Sequence, residues 1–134
     1  MHPMSEKPLI LVVDDDYDAR TVVRTILSSA GYRSEEAASG EEALEKLKSI
    51  NPELVVLDIM MPGMSGYDVV VHMKQKPETQ DIPIIMLTAK GDPDDMLKGY
   101  NEYSVDYYIP KPFTTKQLLS GIKLVLGQSL KGDS

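Results

Sequence analysis

The chain has 134 residues, of which 42% are hydrophobic, and this suits one globular domain with a substantial core. Its net charge of −7 argues against direct binding to nucleic acid through a basic face. It contains no cysteine, which excludes disulfides and thiolate metal sites, and no apolar run of signal-peptide or membrane-spanning type, so we expect a cytoplasmic protein without a membrane partner.

The first fifty residues alternate between strand and helix patterns. The aliphatic run Leu9–Val13 predicts a buried strand that ends at three successive aspartates. Apolar residues at helical spacing over 22–30 predict a helix that Gly31 closes. A weak strand is predicted at 33–38, mostly from its position, and a capping box opens a second helix predicted over 39–50.

The middle of the chain continues this alternation. An apolar strand predicted at 53–57 leads directly to Asp58, and a Pro-Gly turn follows shortly afterwards. Ser65 is the predicted cap of a third helix. A fourth apolar strand, predicted at 82–87, is followed by Thr88.

The last third of the chain predicts two more helices and a short strand. An Asp-Pro pair opens a helix predicted over 92–100. Tyr107–Pro110 predicts the fifth strand, which ends at Lys111, and either Thr114 or Thr115 caps the last helix.

Five strands that alternate with five helices predict an α/β fold, with a doubly wound parallel sheet covered by helices on both faces. We expect one domain over residues 1–134, with its core at about 8–127 and short polar tails. Open α/β sheets bind their ligands at the carboxyl ends of the strands. That edge is therefore where we look for function.

Reactive side chains follow four of the predicted strands at this edge: the aspartates at 14–16, then Asp58, Thr88 and Lys111. Two carboxylates ~4 Å apart repel by about 4 kcal/mol at an effective dielectric of about 20, so a cation must offset them. Mg²⁺ suits an all-oxygen site where a phosphate shares the coordination. The pattern indicates a site that holds a phosphoryl group through carboxylates, a metal, an ammonium and a hydroxyl.

Four motifs, specific when taken together in this order and spacing, connect the chain with a known family. They are Val12-Val13-Asp14-Asp15-Asp16, Leu57-Asp58-Ile59-Met60-Met61-Pro62-Gly63-Met64-Ser65-Gly66, Leu87-Thr88-Ala89-Lys90 and Tyr108-Ile109-Pro110-Lys111-Pro112-Phe113. Over essentially its whole length the chain resembles the receiver domains of two-component response regulators, in particular the stand-alone, chemotaxis-type regulators. The resemblance implies a flavodoxin-like sheet with the strand order 2-1-3-4-5.

The resemblance also implies a phosphoacceptor and a metal site. Asp58 is implied as the residue that attacks phosphohistidine on a histidine kinase or phosphotransfer protein. Asp14 and Asp15 are implied as the acidic pair that binds Mg²⁺ together with Asp58, with Asp15 the preferred direct ligand. Met60 is implied to contribute its backbone carbonyl to the metal.

Further residues are implied to bind the phosphoryl group and to transmit its presence. Thr88 and Lys111 are implied to contact phosphoryl oxygens, and the bond between Lys111 and Pro112 is expected to be cis, a state that only X-Pro bonds adopt readily. Tyr108 is implied as the switch aromatic that turns inward when Thr88 moves to the phosphate. The face of the fourth helix, fifth strand and fifth helix would then change to control a downstream protein, in a monomer or a weak phosphorylation-dependent dimer.

Two departures from the family pattern stand out. Ser104-Val105 occupies the place where the family often has Gly-Ala, with Tyr103 and Tyr107 nearby, so the signalling face is expected to be unusual. Asp16 adds a third carboxylate to the usual pair, and we expect it to point away and to cap the first helix.

Two other functions share features with this pattern. A haloacid-dehalogenase-like phosphatase also uses a strand-end aspartate and Mg²⁺, but it needs a second aspartate two residues after the nucleophile, where this chain has Met60. A receiver-like scaffold that works without phosphorylation is disfavoured by the complete set of site residues. We therefore expect a signalling switch rather than a dedicated enzyme.

Overall fold

A five-stranded parallel sheet forms the centre of the protein, with the order β2-β1-β3-β4-β5. The computed structural model describes residues 7–89 and 104–132. The strands are β1 (Leu9–Val13), β2 (Arg33–Ala37), β3 (Leu54–Asp58), β4 (Ile84–Thr88) and β5 (Tyr107–Pro110). The predicted fold class and strand order are confirmed.

Four of the five predicted helices fall within the described residues. They are α1 (Tyr17–Ser29), α2 (Gly40–Lys46), α3 (Gly66–Lys74) and the C-terminal helix (Thr115–Gly132). The helix predicted over 92–100 lies outside the described residues. Among the helices that the structure describes, none has the length and apolar character needed to cross a membrane.

Helix starts are set by the side chains that the sequence predicted as caps. The carboxylate of Asp16 accepts a backbone N–H at the start of α1. Ser65 and Asp68 form a reciprocal capping box on α3. Of the two candidates before the C-terminal helix, Thr114 provides the cap, because its Oγ1 accepts the backbone N–H of Gln117 at 3.0 Å. Each such cap stabilises its helix by about 1 kcal/mol.

The predicted extent of α2 was wrong. The helix ends at Lys46 rather than at residue 50, because the chain tightens into turns in which the Ser49 N–H donates to the Lys46 carbonyl at 3.0 Å. Ser39 caps this helix as predicted. The other arm of the predicted capping box differs, since the Glu42 carboxylate accepts from the Ala38 N–H at 2.8 Å rather than from that of Ser39.

Strand residues alternate between two core layers, one on each face of the sheet. In β1, Leu11 and Val13 face α2 and α3, whereas Ile10 and Val12 face α1 and the C-terminal helix. The buried partners from the helices and their ends are Ala43, Leu47 just after α2, Val69, Val70 and Met73 on the first face, and Val23, Leu27, Leu118, Ile122 and Val125 on the second. With both faces covered, polar side chains from several strands can meet only at the strand ends.

Candidate functional site

Carboxylates from two neighbouring strands meet at the carboxyl edge of the sheet. Asp14 and Asp15 directly follow β1, and Asp58 is the last residue of β3. The two strands are paired, with Val13 opposite Leu57. One carboxylate oxygen from each of the three aspartates lies within 4.8 Å of the others. The structure thus brings together the three acids that the sequence predicted as metal ligands.

Lys111 completes this cluster from the end of β5, on the side of β3 away from β1. It follows β5, and its Nζ lies 3.2 Å from Asp14 Oδ2 and 3.3 Å from Asp58 Oδ1. Its backbone N–H donates to the carbonyl of Thr88 at 2.7 Å, and its bond to Pro112 is cis, as expected. The ammonium therefore bridges the acids that follow β1 and β3.

Thr88 lies on β4, between β3, which ends at Asp58, and β5, which Lys111 follows. It is the last residue of β4, where Leu87 pairs with Asp58 on one side and Thr88 pairs with Pro110 on the other. Only 9% of Thr88 is exposed. The strand β4 begins two residues later and ends one residue later than predicted, so that Thr88 belongs to the sheet and is held by its ladder. The Thr88 hydroxyl therefore belongs to the carboxyl edge of the sheet, as predicted.

Burial and charge shift the ionisation of the cluster in a consistent way. Burial raises the pKa of Asp58; the Lys111 ammonium offsets part of that rise, and the Asp14 carboxylate adds to it. Burial alone would lower the pKa of Lys111, but the carboxylates of Asp58 and Asp14 outweigh burial, so the pKa of Lys111 is raised. The site therefore favours a protonated Lys111 and makes ionisation of Asp58 more costly than it is in water.

The donor atoms of the cluster suit a hard divalent cation. The three aspartates offer carboxylate oxygens, and the Lys111 ammonium that contacts two of them balances only part of their charge. Mg²⁺ prefers oxygen ligands of this kind. The Met60 side chain is 73% exposed and ends in a thioether, which is not an oxygen ligand. A contribution of its backbone carbonyl to the cluster stays a prediction.

Asp16 lies outside the cluster as a helix cap, which confirms the expectation for the third aspartate. It is exposed, and its carboxylate accepts from the backbone N–H of Asp18 at 3.1 Å. Its own N–H donates to Asp14 Oδ1 at 2.9 Å. Asp16 thus helps to hold Asp14 through its backbone rather than through its side chain.

Sequence reasoning missed Arg20. This residue lies on α1 and contacts the acidic loop, which comprises residues 14–16. The side chain is nearly buried, and its Nη1 donates to the backbone carbonyl of Asp14 at 2.8 Å. Its Nε donates to Glu36 Oε1 at 2.7 Å. A single arginine in an amphipathic helix pattern usually faces solvent, so the sequence carried no signal for this contact.

Sequence reasoning also missed a partner of the predicted switch aromatic. Tyr108 is 4% exposed, and its hydroxyl lies 3.0 Å from the hydroxyl of Tyr67 on α3. The two residues are 41 positions apart in sequence, and a tyrosine in a helical pattern carries no signal of such a contact. The bond connects β5 with the helix that follows Asp58.

A doubly wound sheet with an acidic pocket at its carboxyl edge defines a flavodoxin-like α/β domain with a candidate metal site. The model of the family described as "Response regulator receiver domain" matches residues 10–123. The chain belongs to this family, the receiver domains of two-component response regulators.

Individual relatives support the same assignment. The phosphate regulon transcriptional regulatory protein PhoB of Pseudomonas aeruginosa is 41% identical over 125 residues, which is 93% of this chain and 54% of PhoB. The chain spans about half the length of the curated relatives it matches.

Solved structures show the same fold. The Vibrio cholerae chemotaxis protein CheY4 superposes with a TM-score of 0.84 at 31% identity, covering 90% of this chain and 99% of CheY4. The receiver domain of the sensor histidine kinase PA1611 from Pseudomonas aeruginosa, described with a magnesium ion coordinated in its active site cleft, has a TM-score of 0.80 at 26% identity. That match covers 91% of this chain and 99% of the PA1611 domain.

Proposed function

We propose that the chain is a phosphoacceptor signalling switch, in which Asp58 accepts a phosphoryl group from a histidine kinase or phosphotransfer protein. One observation carries this proposal: Lys111 Nζ lies 3.3 Å from Asp58 Oδ1 and 3.2 Å from Asp14 Oδ2, within a cluster that also includes Asp15. A strand-end carboxylate with acids on one side and an ammonium on the other is suited to receive an anion whose charge is shared between a metal and a lysine.

The chemical step is a transfer of phosphorus from nitrogen to oxygen. A carboxylate oxygen of Asp58 forms a bond to phosphorus while the P–N bond of the donor's phosphohistidine breaks. The electron pair of that bond stays on the histidine nitrogen, and the product is an acyl phosphate on Asp58. The phosphoryl group carries roughly −1.5 to −2 charge, while the Asp58 carboxylate gives up its own negative charge on forming the new bond. Lys111 already lies beside Asp58 and is suited to pair with a phosphoryl oxygen.

We propose Mg²⁺ as the cofactor, held by the carboxylates of Asp14, Asp15 and Asp58 and by the backbone carbonyl of Met60. When bound, the ion supplies positive charge that offsets the carboxylates and the phosphoryl oxygens. The all-oxygen donor set supports this choice. The magnesium ion described for the PA1611 receiver domain supports it as well.

We further propose that the Thr88 hydroxyl binds the phosphoryl group and that Tyr108 reports this binding on the surface around β5 and the C-terminal helix. Moving a two-state equilibrium from mostly off to mostly on takes about 5 kcal/mol of differential stabilisation. Charge-assisted hydrogen bonds from Thr88 and Lys111, with a shared metal, are the contacts we expect to provide it. The burial of Thr88 and Tyr108 in adjacent paired strands supports this coupling.

The partners we propose are proteins on both sides of the transfer: a histidine kinase or phosphotransfer protein as donor, and a downstream protein as receiver of the signal. The net charge of −7 supports a protein rather than nucleic acid as the direct contact. The chain would take part in one covalent step on its own side chain, so we do not propose a dedicated enzyme. The monomeric or weakly dimeric state and the cytoplasmic location expected from the sequence stay predictions.

The proposal is tested by incubating the protein with acetyl phosphate and Mg²⁺ and measuring its intact mass. We expect the wild type to gain one phosphoryl group and Asp58→Asn to gain none. Asp16→Asn is the matched control, because the same change at a neighbouring acid leaves the cluster intact and asparagine also caps helices well.

Three outcomes would contradict the proposal. A phosphoryl group on the Asp58→Asn variant would place the acceptor elsewhere, and a wild type without any mass gain would favour the phosphorylation-independent scaffold. Steady turnover of a phosphomonoester such as p-nitrophenyl phosphate would favour the phosphatase instead.

A further inference from the structure

Arg20 is a nearly buried cation that the proposed phosphotransfer does not use. It lies in the first turns of α1 and is 9% exposed. Its guanidinium donates to the Asp14 carbonyl and to Glu36, and its Cζ lies 5.6 Å from the centroid of the Tyr17 ring. Burying a charge is costly unless it is paired and hydrogen-bonded, and here it is both. The side chain therefore connects three parts of the structure: α1, β2 and the acidic loop.

The carbonyl that Arg20 binds belongs to the peptide group joining Asp14 to Asp15. A peptide group is planar, so holding its oxygen also fixes the direction in which the chain continues to Asp15. The rest of Asp14 is held as well: its N–H donates to the Ala37 carbonyl at 3.2 Å, and its Oδ1 accepts from the Asp16 N–H at 2.9 Å. Asp15 itself is exposed, and no hydrogen bond from a described residue holds its carboxylate. The contacts that the structure describes therefore act on the backbone from which the Asp15 side chain extends.

Glu36 orients the guanidinium from β2. Its Oε1 accepts from Arg20 Nε at 2.7 Å, and its Oε2 forms an ion pair with Arg24. The backbone carbonyl of Glu36 accepts from Lys46 Nζ on α2. The planar fork of an arginine can hold two acceptors on different elements at once, which the ammonium of a lysine cannot do with the same fixed geometry. Glu36 and the Asp14 carbonyl are those two acceptors.

We infer that Arg20 is a positioning residue for the metal ligand Asp15, which it aims at the Mg²⁺ site through the peptide group between Asp14 and Asp15, with Glu36 holding the guanidinium in place. The inference rests on the proposed function, because it takes Asp15 to be a Mg²⁺ ligand.

Two physical effects of Arg20 on Mg²⁺ have opposite signs, which makes the inference testable. Arg20 is a positive charge next to the acidic cluster, so its removal would by charge alone strengthen the binding of a cation. If Arg20 aims the Asp15 carboxylate, removing Arg20 weakens cation binding. A residue that orients a metal ligand contributes about 10- to 100-fold in metal affinity. The direction of the change in Kd separates the two.

The experiment is a calorimetric titration of Mg²⁺ into the wild type, Arg20→Gln and Arg24→Gln. We expect Arg20→Gln to raise the Kd for Mg²⁺ about tenfold. Arg24→Gln is the matched control, because it removes the same charge from the same helix and also removes an ion pair with Glu36. Among the described residues, the hydrogen bonds of Arg24 go to Ser34 and Glu36, and none goes to Asp14. We expect its Kd to stay within about twofold of the wild type or to fall slightly.

A second variant covers the case in which Arg20→Gln does not fold, as judged by circular dichroism. Arg20→Lys keeps the charge but loses the fork, and we expect it also to weaken Mg²⁺ binding relative to Arg24→Gln. In phosphorylation by acetyl phosphate, the Mg²⁺ concentration at half-maximal rate should rise in both Arg20 variants. The rate at saturating Mg²⁺ should stay within about twofold of the wild type, since the acceptor Asp58 is untouched.

Unchanged or tighter Mg²⁺ binding in the Arg20 variants would overturn the inference. A loss of affinity equal to that of Arg24→Gln would overturn it too, since it would reflect a general weakening of the contacts between α1 and Glu36 on β2. A wild type that does not bind Mg²⁺ at all would instead overturn the proposed cofactor, and with it the premise on which the role of Arg20 depends.

Discussion

Ser104 adopts a backbone conformation that glycine adopts more easily. Its φ is 57°, in the left-handed region, and it precedes Val105, which is 3% exposed. Ser104-Val105 stands where receiver domains often have Gly-Ala. The structure supplies a physical reason for glycine at the first of these positions, because glycine adopts a positive φ without the steric cost that other residues incur.

We predict that Ser104→Gly stabilises the protein by about 0.5 to 1.5 kcal/mol. A left-handed conformation costs a non-glycine residue roughly 1–2 kcal/mol, and the greater entropy of glycine in the unfolded chain offsets part of the gain. Urea unfolding measures the change. Ser120→Gly, at an exposed position inside the C-terminal helix, is the matched control and should be destabilising by about 0.5–1 kcal/mol. A Ser104→Gly variant less stable than the wild type would contradict this reading of the backbone.

At the residue scale, the sequence predicted those site residues that follow strands. Asp58 and Lys111 could be assigned because the carboxyl ends of parallel strands meet at one edge. Arg20 and Tyr67 could not, because their positions on helices look ordinary and their partners, Asp14 and Tyr108, become neighbours only in the folded chain. Sequence periodicity reports which face a residue occupies and not which atom it contacts.

The corner between α1 and β2 is held by ion pairs around Glu36. Arg20 and Arg24 on α1 both bind its carboxylate, and Lys46 on α2 binds its backbone carbonyl. The hydrogen bond from Arg20 is the largest cause that holds the pKa of Glu36 below its usual value of 4.5. An acid with a lowered pKa in the folded state contributes stability above its unfolded pKa and loses it as the pH falls through the folded pKa.

We therefore predict that Glu36→Gln lowers the free energy of unfolding at pH 7 by about 1–2 kcal/mol, the range for a hydrogen bond to a charged group reduced for partial solvent exposure. The difference from the wild type should be constant down to about the usual pKa of 4.5 and should shrink below it. Denaturant unfolding at several pH values provides the measurement. Glu45→Gln removes the exposed pair with Lys48 and should change stability by less than about 0.5 kcal/mol. A Glu36→Gln deficit that grows on acidification would reverse the sign argued here.

At the element scale, predictions succeeded where a buried face or a cap left a pattern. The strand β1 was predicted with its observed bounds, because all five of its residues are aliphatic. The strand β2 was assigned mostly from its position, since it lies at the edge of the sheet and exposes Arg33 and Glu35. The end of α2 was misplaced because Ile50 continues the apolar spacing into a stretch of turns.

For the whole molecule, the alternation of strands and helices predicted the fold class, but spacing alone did not predict the strand order. The order 2-1-3-4-5 followed from the resemblance to receiver domains and is confirmed. It places β1 next to β3, which is the pairing that brings Asp14 and Asp15 to Asp58.

A ligand that binds the folded state at this junction should stabilise the entire domain. We predict that Mg²⁺ at ten times its Kd raises the free energy of unfolding by about 1.4 kcal/mol. Asp15→Asn should respond less at the same Mg²⁺ concentration, whereas Asp16→Asn should respond like the wild type. Thermal unfolding with Mg²⁺ and with a chelator provides the comparison, and an unfolding midpoint that is insensitive to Mg²⁺ in the wild type would argue against a native-state metal site.

Tyr108, the residue that we propose reports phosphoryl binding, is anchored outside its own strand by the contact between its hydroxyl and that of Tyr67. An outward rotation of the Tyr108 ring would have to break this contact, which is typically worth about 0.5–1.5 kcal/mol. Since the resemblance implies that Tyr108 turns inward on modification of Asp58, modification would favour this contact and thereby tether α3 to β5. Modification of Asp58 would accordingly change the surface at α3 as well as at β5. A second partner protein could then bind the modified form at α3 without competing for the surface at β5.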